Sequence, residues 1–239
     1  MLHRFASPAR FSRIATRVLP WSVALTGLLF VAGIYFALFA SPADYQQGET
    51  VRIMYVHVPS AWMAIACYIF IAAMSAISLI WKHPLADVAA RAAAPLGAAF
   101  TLIVLITGSL WGKPTWGTWW VWDARLTSVL IMFFLYLGHI ALTHAFDNPQ
   151  RGAKAAAMLA LVGFINIPII KFSVDWWNTL HQPASLTRLD RPAIDPGMLT
   201  PLLLMGLAFM AYFVTMLLIR MRADLNAARA RARQLSAAE

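Results

Sequence analysis

Ala92–Trp111 reads AAAPLGAAFTLIVLITGSLW, a stretch without a single charged residue. A membrane-crossing helix needs ~20 consecutive, mainly apolar residues, so this segment is long enough to span a bilayer. The same criterion selects Pro20–Ala40 and Pro59–Trp81 upstream, and Leu126–Ala145, Ala155–Phe172 and Thr200–Arg220 downstream. The sequence therefore predicts an all-α polytopic membrane protein with six transmembrane helices in one domain, residues 1–239. Hydrophobic residues make up 61% of the chain and charged ones 12%, which excludes a disordered chain and an ordinary soluble domain. Pro20–Ala40 is too long for the apolar region of a signal peptide and shows no small-x-small cleavage site after it, so it is expected to remain as a span. Asn166 and Pro168 in the fifth span predict a kink whose freed backbone groups are satisfied by neighbouring helices.

Charge placement orients the bundle. Lys and Arg number 19 against 10 Asp and Glu, a formal net charge of +9. With a cytoplasmic N-terminus, only Arg52, Lys113, Arg125, Lys171, Arg188 and Arg191 fall on the outer side. Of the acids, only Asp87, Asp147, Asp224 and Glu239 fall inside, so the outer side is neutral and the whole excess is cytoplasmic. Both termini are therefore expected in the cytoplasm, and the basic charge faces anionic lipid without any need for nucleic acid. The basic stretches Phe5–Arg17 and Arg220–Gln234 read either as solvated tails or as short interfacial helices. The outer loops are Ser41–Val58, Gly112–Arg125 and Ser173–Leu199; the short inner loops Lys82–Arg91 and Thr143–Lys154 read as connectors. A single cysteine rules out an internal disulfide, a zinc-cysteine cluster and covalent haem attachment through C-x-x-C-H, and Cys67 reads as a small buried hydrophobe. No P-loop, H-E-x-x-H, G-x-S-x-G or dinucleotide fingerprint is present.

The second outer loop carries the chemistry: Trp111-Gly-Lys-Pro-Thr-Trp116-Gly-Thr-Trp119-Trp120-Val-Trp122-Asp123-Ala-Arg125. An aromatic belt at the membrane interface accounts for one or two tryptophans at a helix end, as at Trp21 and Trp81, but poorly for five in one loop. Trp116, Trp119, Trp120 and Asp123 lie at i, i+3, i+4 and i+7, which predicts a short amphipathic helix with one face almost wholly indole. Such a plate suits a flat aromatic ligand, with ~0.5–1.5 kcal/mol per ring pair beyond area burial; a sterol, a quinone or a partner protein would also fit it.

Six histidines sort by depth. His3 and His83 are expected in solvent, and His139 and His144 lie on the fourth span, away from the outer loops. His57 precedes the second span, where Pro59 marks a helix start, and His181 sits in the third outer loop, on the same side as the tryptophans. Either alone reads equally as a lone interfacial histidine. Two imidazoles and an aromatic plate at one depth make a haem constellation, with one axial ligand from each loop. The outer cations are candidate partners for the haem propionates, Arg52, Lys113, Arg125 and Arg188 foremost, and Asp123 is placed to clamp Arg125 or a backbone amide.

The run from Trp116 to Ser128, with Trp119-Trp120-Val-Trp122-Asp123 at its centre, and the continuation Leu135-Tyr-Leu-Gly-His resemble the WWD signature of the haem-handling proteins of cytochrome c biogenesis. Length, span number and a histidine in each flanking outer loop are most similar to the CcmC branch of that family. The resemblance implies a multi-pass protein of the bacterial inner membrane that delivers haem rather than acting as an enzyme. It implies non-covalent haem b at the periplasmic face, with His57 and His181 as axial ligands to the iron. It also implies that the loop of Trp111, Trp116, Trp119, Trp120, Trp122, Asp123 and Arg125 lies against the ring. The implied partners are the haem chaperone CcmE, which receives haem covalently through a histidine, the ABC-type CcmA–CcmB complex and the small protein CcmD. The competing readings are a membrane haem b electron carrier, a permease subunit for a small solute, and a scaffold whose Trp loop docks a protein.

Overall fold

A computed structural model describes residues 7–181 and 194–237. The helices are α1 (Pro8–Tyr35), α2 (Met54–Trp81), α3 (Pro84–Trp116), α4 (Ala124–His144), α5 (Pro149–Gly163), α6 (Asn166–Trp176) and α7 (Pro196–Ser236). Proline stands in the first turn of α1, α3, α5 and α7, where its missing N–H costs nothing. Ser7, Asp123, Asn148 and Asp195 cap α1, α4, α5 and α7 with their side chains. Among the described residues, six helical segments are long and apolar enough to cross a membrane, with α5 and α6 together making one of them. The expected all-α, six-span architecture is the observed one.

The helices outrun the apolar stretches that announce them. α1 starts at Pro8, and α7 continues from the last apolar stretch to Ser236, exposed throughout from Asn226. Both basic tails are therefore continuous extensions of spans and not separate interfacial helices. Hydropathy reports where a helix is apolar, whereas the Ala- and Arg-rich sequence beyond it keeps high helix propensity. α2 likewise begins at Met54, ahead of Pro59, because the 3-10 turn Glu49–Ile53 runs straight into it. The expected kink falls at Phe164-Ile165, between α5 and α6. Its amides are satisfied by short local bonds, Phe164 N–H to Ala160 O at 3.1 Å and Ile165 N–H to Val162 O at 3.3 Å. The Asn166 side-chain amide then donates to Ser128 O on α4 at 2.8 Å and ties the break to its neighbour.

The centre of the bundle lies between α2, α3 and α4. Cys67, Ala93, Ala94 and Tyr136 are fully buried there, and Cys67 is the packed hydrophobe its setting foretold. Tyr136 donates its hydroxyl to Ala64 O at 2.6 Å and meets the Tyr68 ring edge-on at 5.2 Å. α1 packs on α7 through Gly33 against Met205 and a hydroxyl cluster that joins Ser22 and Thr26 to Thr215. At the end opposite the tryptophan loop, Arg91 pairs with Asp224 at 3.1 Å and Arg220 donates to Ala92 O at 3.0 Å, locking α3 to α7. His83 precedes α3 there, half-buried and not in open solvent, with Nδ1 lacking a partner; His3 lies outside the described residues. Large apolar side chains such as Leu28, Val31 and Phe39 stay exposed on the outside of the bundle, as a lipid-facing surface requires.

Candidate functional site

Helix termination decides where the tryptophans go. α3 continues through Trp116 until Gly117, whose φ of 77° ends it in the left-handed region. Asp123 then starts α4, its Oδ1 accepting from Leu126 N–H at 2.7 Å. The few residues between these two caps leave no room for a helix, so residues 117–123 are irregular and the expected single indole face is split. Trp111 and Trp116, on α3, and Trp120 line a cavity of about 1450 Å³. Trp119 and Trp122 face outward and are 54% and 77% exposed, Trp119 beneath the Lys113 ammonium at 5.9 Å.

Both outer-loop histidines reach this cavity. His57 is on the first turns of α2, its Nδ1 2.9 Å from Thr107 Oγ1 on α3 and its ring edge-on to Trp111 at 5.7 Å. Gly108 makes room for it, since a Cβ there would come 3.1 Å from the imidazole. His181 follows α6, its backbone N–H donating to Thr179 Oγ1 at 3.2 Å and its ring edge-on to Trp116 at 4.8 Å. Its Nδ1 lies 3.6 Å from Asp123 Oδ2, and neither atom has a hydrogen-bond partner. The two imidazoles are near enough to interact electrostatically. His139 is buried on α4 away from the cavity lining, and His144 is exposed at the far end of that helix.

The cations divide as well. Arg125 lines the cavity, donating from Nε to Ser173 Oγ at 3.0 Å and from Nη2 to Ile170 O at 3.4 Å, which holds α6 against α4. Lys171 also lines it. Arg52 is turned away, paired with Glu49 and donating to Ala37 O at 2.5 Å. Lys113 Nζ donates to Gly117 O at 3.0 Å. Neither of these two lines the cavity. Arg188 and Arg191 lie outside the described residues. Asp123 clamps a backbone amide and faces His181 in place of pairing with Arg125.

Sequence reasoning missed three contributors. Gln47 accepts from Trp111 Nε1–H at 2.7 Å, in a turn whose Asp44 carboxylate receives the Gln46 and Gln47 amides at 2.9 and 2.8 Å. The Asp and Gly bracketing that turn were the available signal. Asp195, another lining residue, caps α7, and the Asp-Pro-Gly run was a readable helix start. Thr107 carries no signal, because a hydroxyl inside an apolar span looks like any other.

Burial holds the His181 imidazole down to a pKa of about 4, with the Arg125 charge adding to the shift and the Asp123 carboxylate opposing it. His181 is therefore neutral, with a lone pair to offer, through the whole neutral range. Because the folded value lies below the ordinary one of ~6.5, the unfolded chain binds the extra proton first. The ligand-free protein is expected to lose stability as pH falls from about 6.5 towards 4, as the ordinary histidine value and the value here require. The loss should be smaller in His181→Gln, as read from thermal unfolding in detergent at stepped pH.

The residues fit a metalloporphyrin. Two histidines meet four indoles, Trp62 among them, on one wall system, and the buried Trp120 Nε1, Asp123 Oδ2 and His181 Nδ1 have no hydrogen-bond partner. The volume exceeds the ~300–1,000 Å³ usual for small-molecule sites, so a large ring can be accommodated. Among the described residues no group of three or more His, Cys, Asp or Glu side chains could hold a bare metal ion.

The family model CcmC, described as "Heme exporter protein C", matches residues 1–236. Among relatives, "Heme exporter protein C" of Bradyrhizobium diazoefficiens is 56% identical over 230 residues, covering 96% of this chain and 87% of that protein. The Escherichia coli K12 protein of the same name is 47% identical over 221 residues, 92% of this chain and 89% of its own. A "Putative cytochrome c biosynthesis ccmC-like mitochondrial protein" of Marchantia polymorpha is 50% identical over 187 residues, 78% of each chain.

Proposed function

The chain belongs to the CcmC family, haem exporter protein C, a multi-pass membrane family that handles haem for cytochrome c biogenesis, and from that we propose that it holds haem b non-covalently at the periplasmic face of the bacterial inner membrane and delivers it to the chaperone CcmE. The observation that carries this reading is the convergence of His57 and His181, far apart in sequence, on one cavity with Trp111, Trp116 and Trp120. His57 and His181 would hold the haem iron through their imidazoles, and bound haem would supply the iron and the vinyl group to which CcmE becomes joined. Trp111, Trp116 and Trp120 lie against the ring, while Trp119 and Trp122, exposed beside it, form the rim a partner meets. Arg125 and Lys171 offer positive charge for the propionates. Tyr45, another lining residue, is 91% exposed, so the cavity opens at its loop end and leaves an edge of the ligand within reach. Delivery needs that access: the protein supplies placement, and haem with CcmE supplies the reacting atoms. CcmA–CcmB and CcmD act as companions in releasing the loaded chaperone.

The test is purification in mild detergent from haem-replete cells, followed by mixing with haem-free CcmE. The expected result is a red protein with a low-spin six-coordinate spectrum, whose haem passes to CcmE and then resists acidic organic extraction. A colourless protein would sink the reading and leave the Trp loop as a protein-docking surface. Rapid reduction of bound haem by a quinol, with no transfer to CcmE, would favour an electron carrier instead.

A further inference from the structure

The free nitrogen of a ligand histidine is decided by what its other ring nitrogen bonds. His57 Nδ1 is 2.9 Å from Thr107 Oγ1. The Thr107 hydroxyl has one proton, and Oγ1 lies 2.6 Å from Ile103 O, a carbonyl that can only accept. That proton is therefore committed to the helix backbone one turn back, the usual bond of a threonine inside a helix. Towards His57, Oγ1 has only lone pairs left, so the hydrogen of this contact sits on Nδ1 and Nε2 keeps its lone pair. Trp111 edge-on and Gly108 beneath leave the imidazole little freedom to turn.

We propose that Thr107 is a positioning residue that holds His57 in the Nδ1–H tautomer, so that Nε2 is presented to haem iron. The proposal rests on the haem reading above for the identity of the metal, but the tautomer itself does not. An unconstrained imidazole in water favours a hydrogen on Nε2, so Thr107 reverses the intrinsic preference. His181 is held differently, its Nδ1 facing the Asp123 carboxylate at 3.6 Å, beyond hydrogen-bond distance, so no comparable bond fixes its tautomer.

The experiment uses the full chain labelled with 15N-histidine, ligand-free and in lipid, with the His57 signals assigned by their loss in His57→Gln. Wild type is expected to show a pyrrole-type Nδ1 and a pyridine-type Nε2. Thr107→Val, nearly isosteric but without an acceptor, should mix or reverse the tautomers, and Thr107→Ser should restore the wild-type pattern. With haem added, Thr107→Val should bind ~10–100-fold more weakly, the range for loss of an outer-shell partner, and gain high-spin character that Thr107→Ser does not show. A purely structural role would move the melting temperature but neither the nitrogen shifts nor the spin state. A hydrogen on Nε2 in wild type, or wild-type tautomer and spin state in Thr107→Val, would overturn the proposal. The expected tautomer in a protein that takes up no haem would refute the haem reading and, with it, the ligand role given to Nε2.

Discussion

His57→Ala and His181→Ala are each expected to turn a six-coordinate low-spin haem spectrum into a five-coordinate one, and to weaken haem binding by at least ~100-fold, above the range for loss of an outer-shell partner alone. The double substitution should leave the protein colourless. Tryptophan substitutions provide the scale for comparison. A ring contact contributes ~0.5–1.5 kcal/mol beyond area burial, so Trp116→Ala or Trp120→Ala should cost roughly 2–12-fold from that source and keep the low-spin spectrum. The two classes separate because the histidines bond the iron whereas the indoles only touch the ring. Both imidazoles are half-buried at the cavity wall, so their removal leaves the packed centre around Tyr136 intact. Folded but high-spin protein is the expected state of each single variant. An unchanged spectrum in either variant would remove that residue from the ligand pair.

Gly97→Ala is expected to produce the largest loss of stability of any single methyl addition along α3. A Cβ at Gly97 would overlap the Tyr136 ring, an aromatic side chain with no exposed surface and no room to retreat. Overpacking a dense core costs ~1–3 kcal/mol, and displacing Tyr136 also breaks its bond to Ala64 O in a place where water cannot replace it. A total of about 3 kcal/mol is a large share of a net stability of ~5–15 kcal/mol. Gly27→Ala is the internal control. Nothing lies within 4 Å of a Cβ at Gly27, and removing a glycine from a helix interior gains up to ~1 kcal/mol. Thermal unfolding in detergent reads both, and equal midpoints for the two variants would show that α3 and α4 are not packed as described. Because Asp123 and Arg125 begin α4, a shift of Tyr136 lower on that helix should also loosen the site, after stability is lost rather than before.

The legible parts of this protein were those written in short-range chemistry. Membrane spans need only enough consecutive apolar residues, and α3 declares itself through Ala92–Trp111. The break in the fifth span was readable because Asn166 and Pro168 disturb the backbone locally. The candidate histidines emerged by elimination on depth, since the ~1.5 Å rise of a helix removes His139 and His144 from the outer loops. The expectation for Trp116–Asp123 failed on local grounds too. The i, i+3, i+4, i+7 spacing was real, but Gly117 closes one helix and Asp123 opens the next, and a pair of caps overrides a periodicity that spans only seven residues.

The sequence by itself determined the class of molecule, the number of its crossings, the loop that bears the tryptophans and the two histidines that flank it. Each follows from interactions between residues close in the chain or between the chain and its solvent. The tertiary structure alone decided which indoles face the cavity, that Gln47 holds Trp111, that Arg125 joins α4 to α6 through Ser173, and that Thr107 backs His57. These are contacts between segments distant in the chain, and a helix rotated by one residue turns a side chain by about 100°, as 3.6 residues per turn require. That rotation is set by packing at buried points such as Gly97 against Tyr136, which no local pattern records.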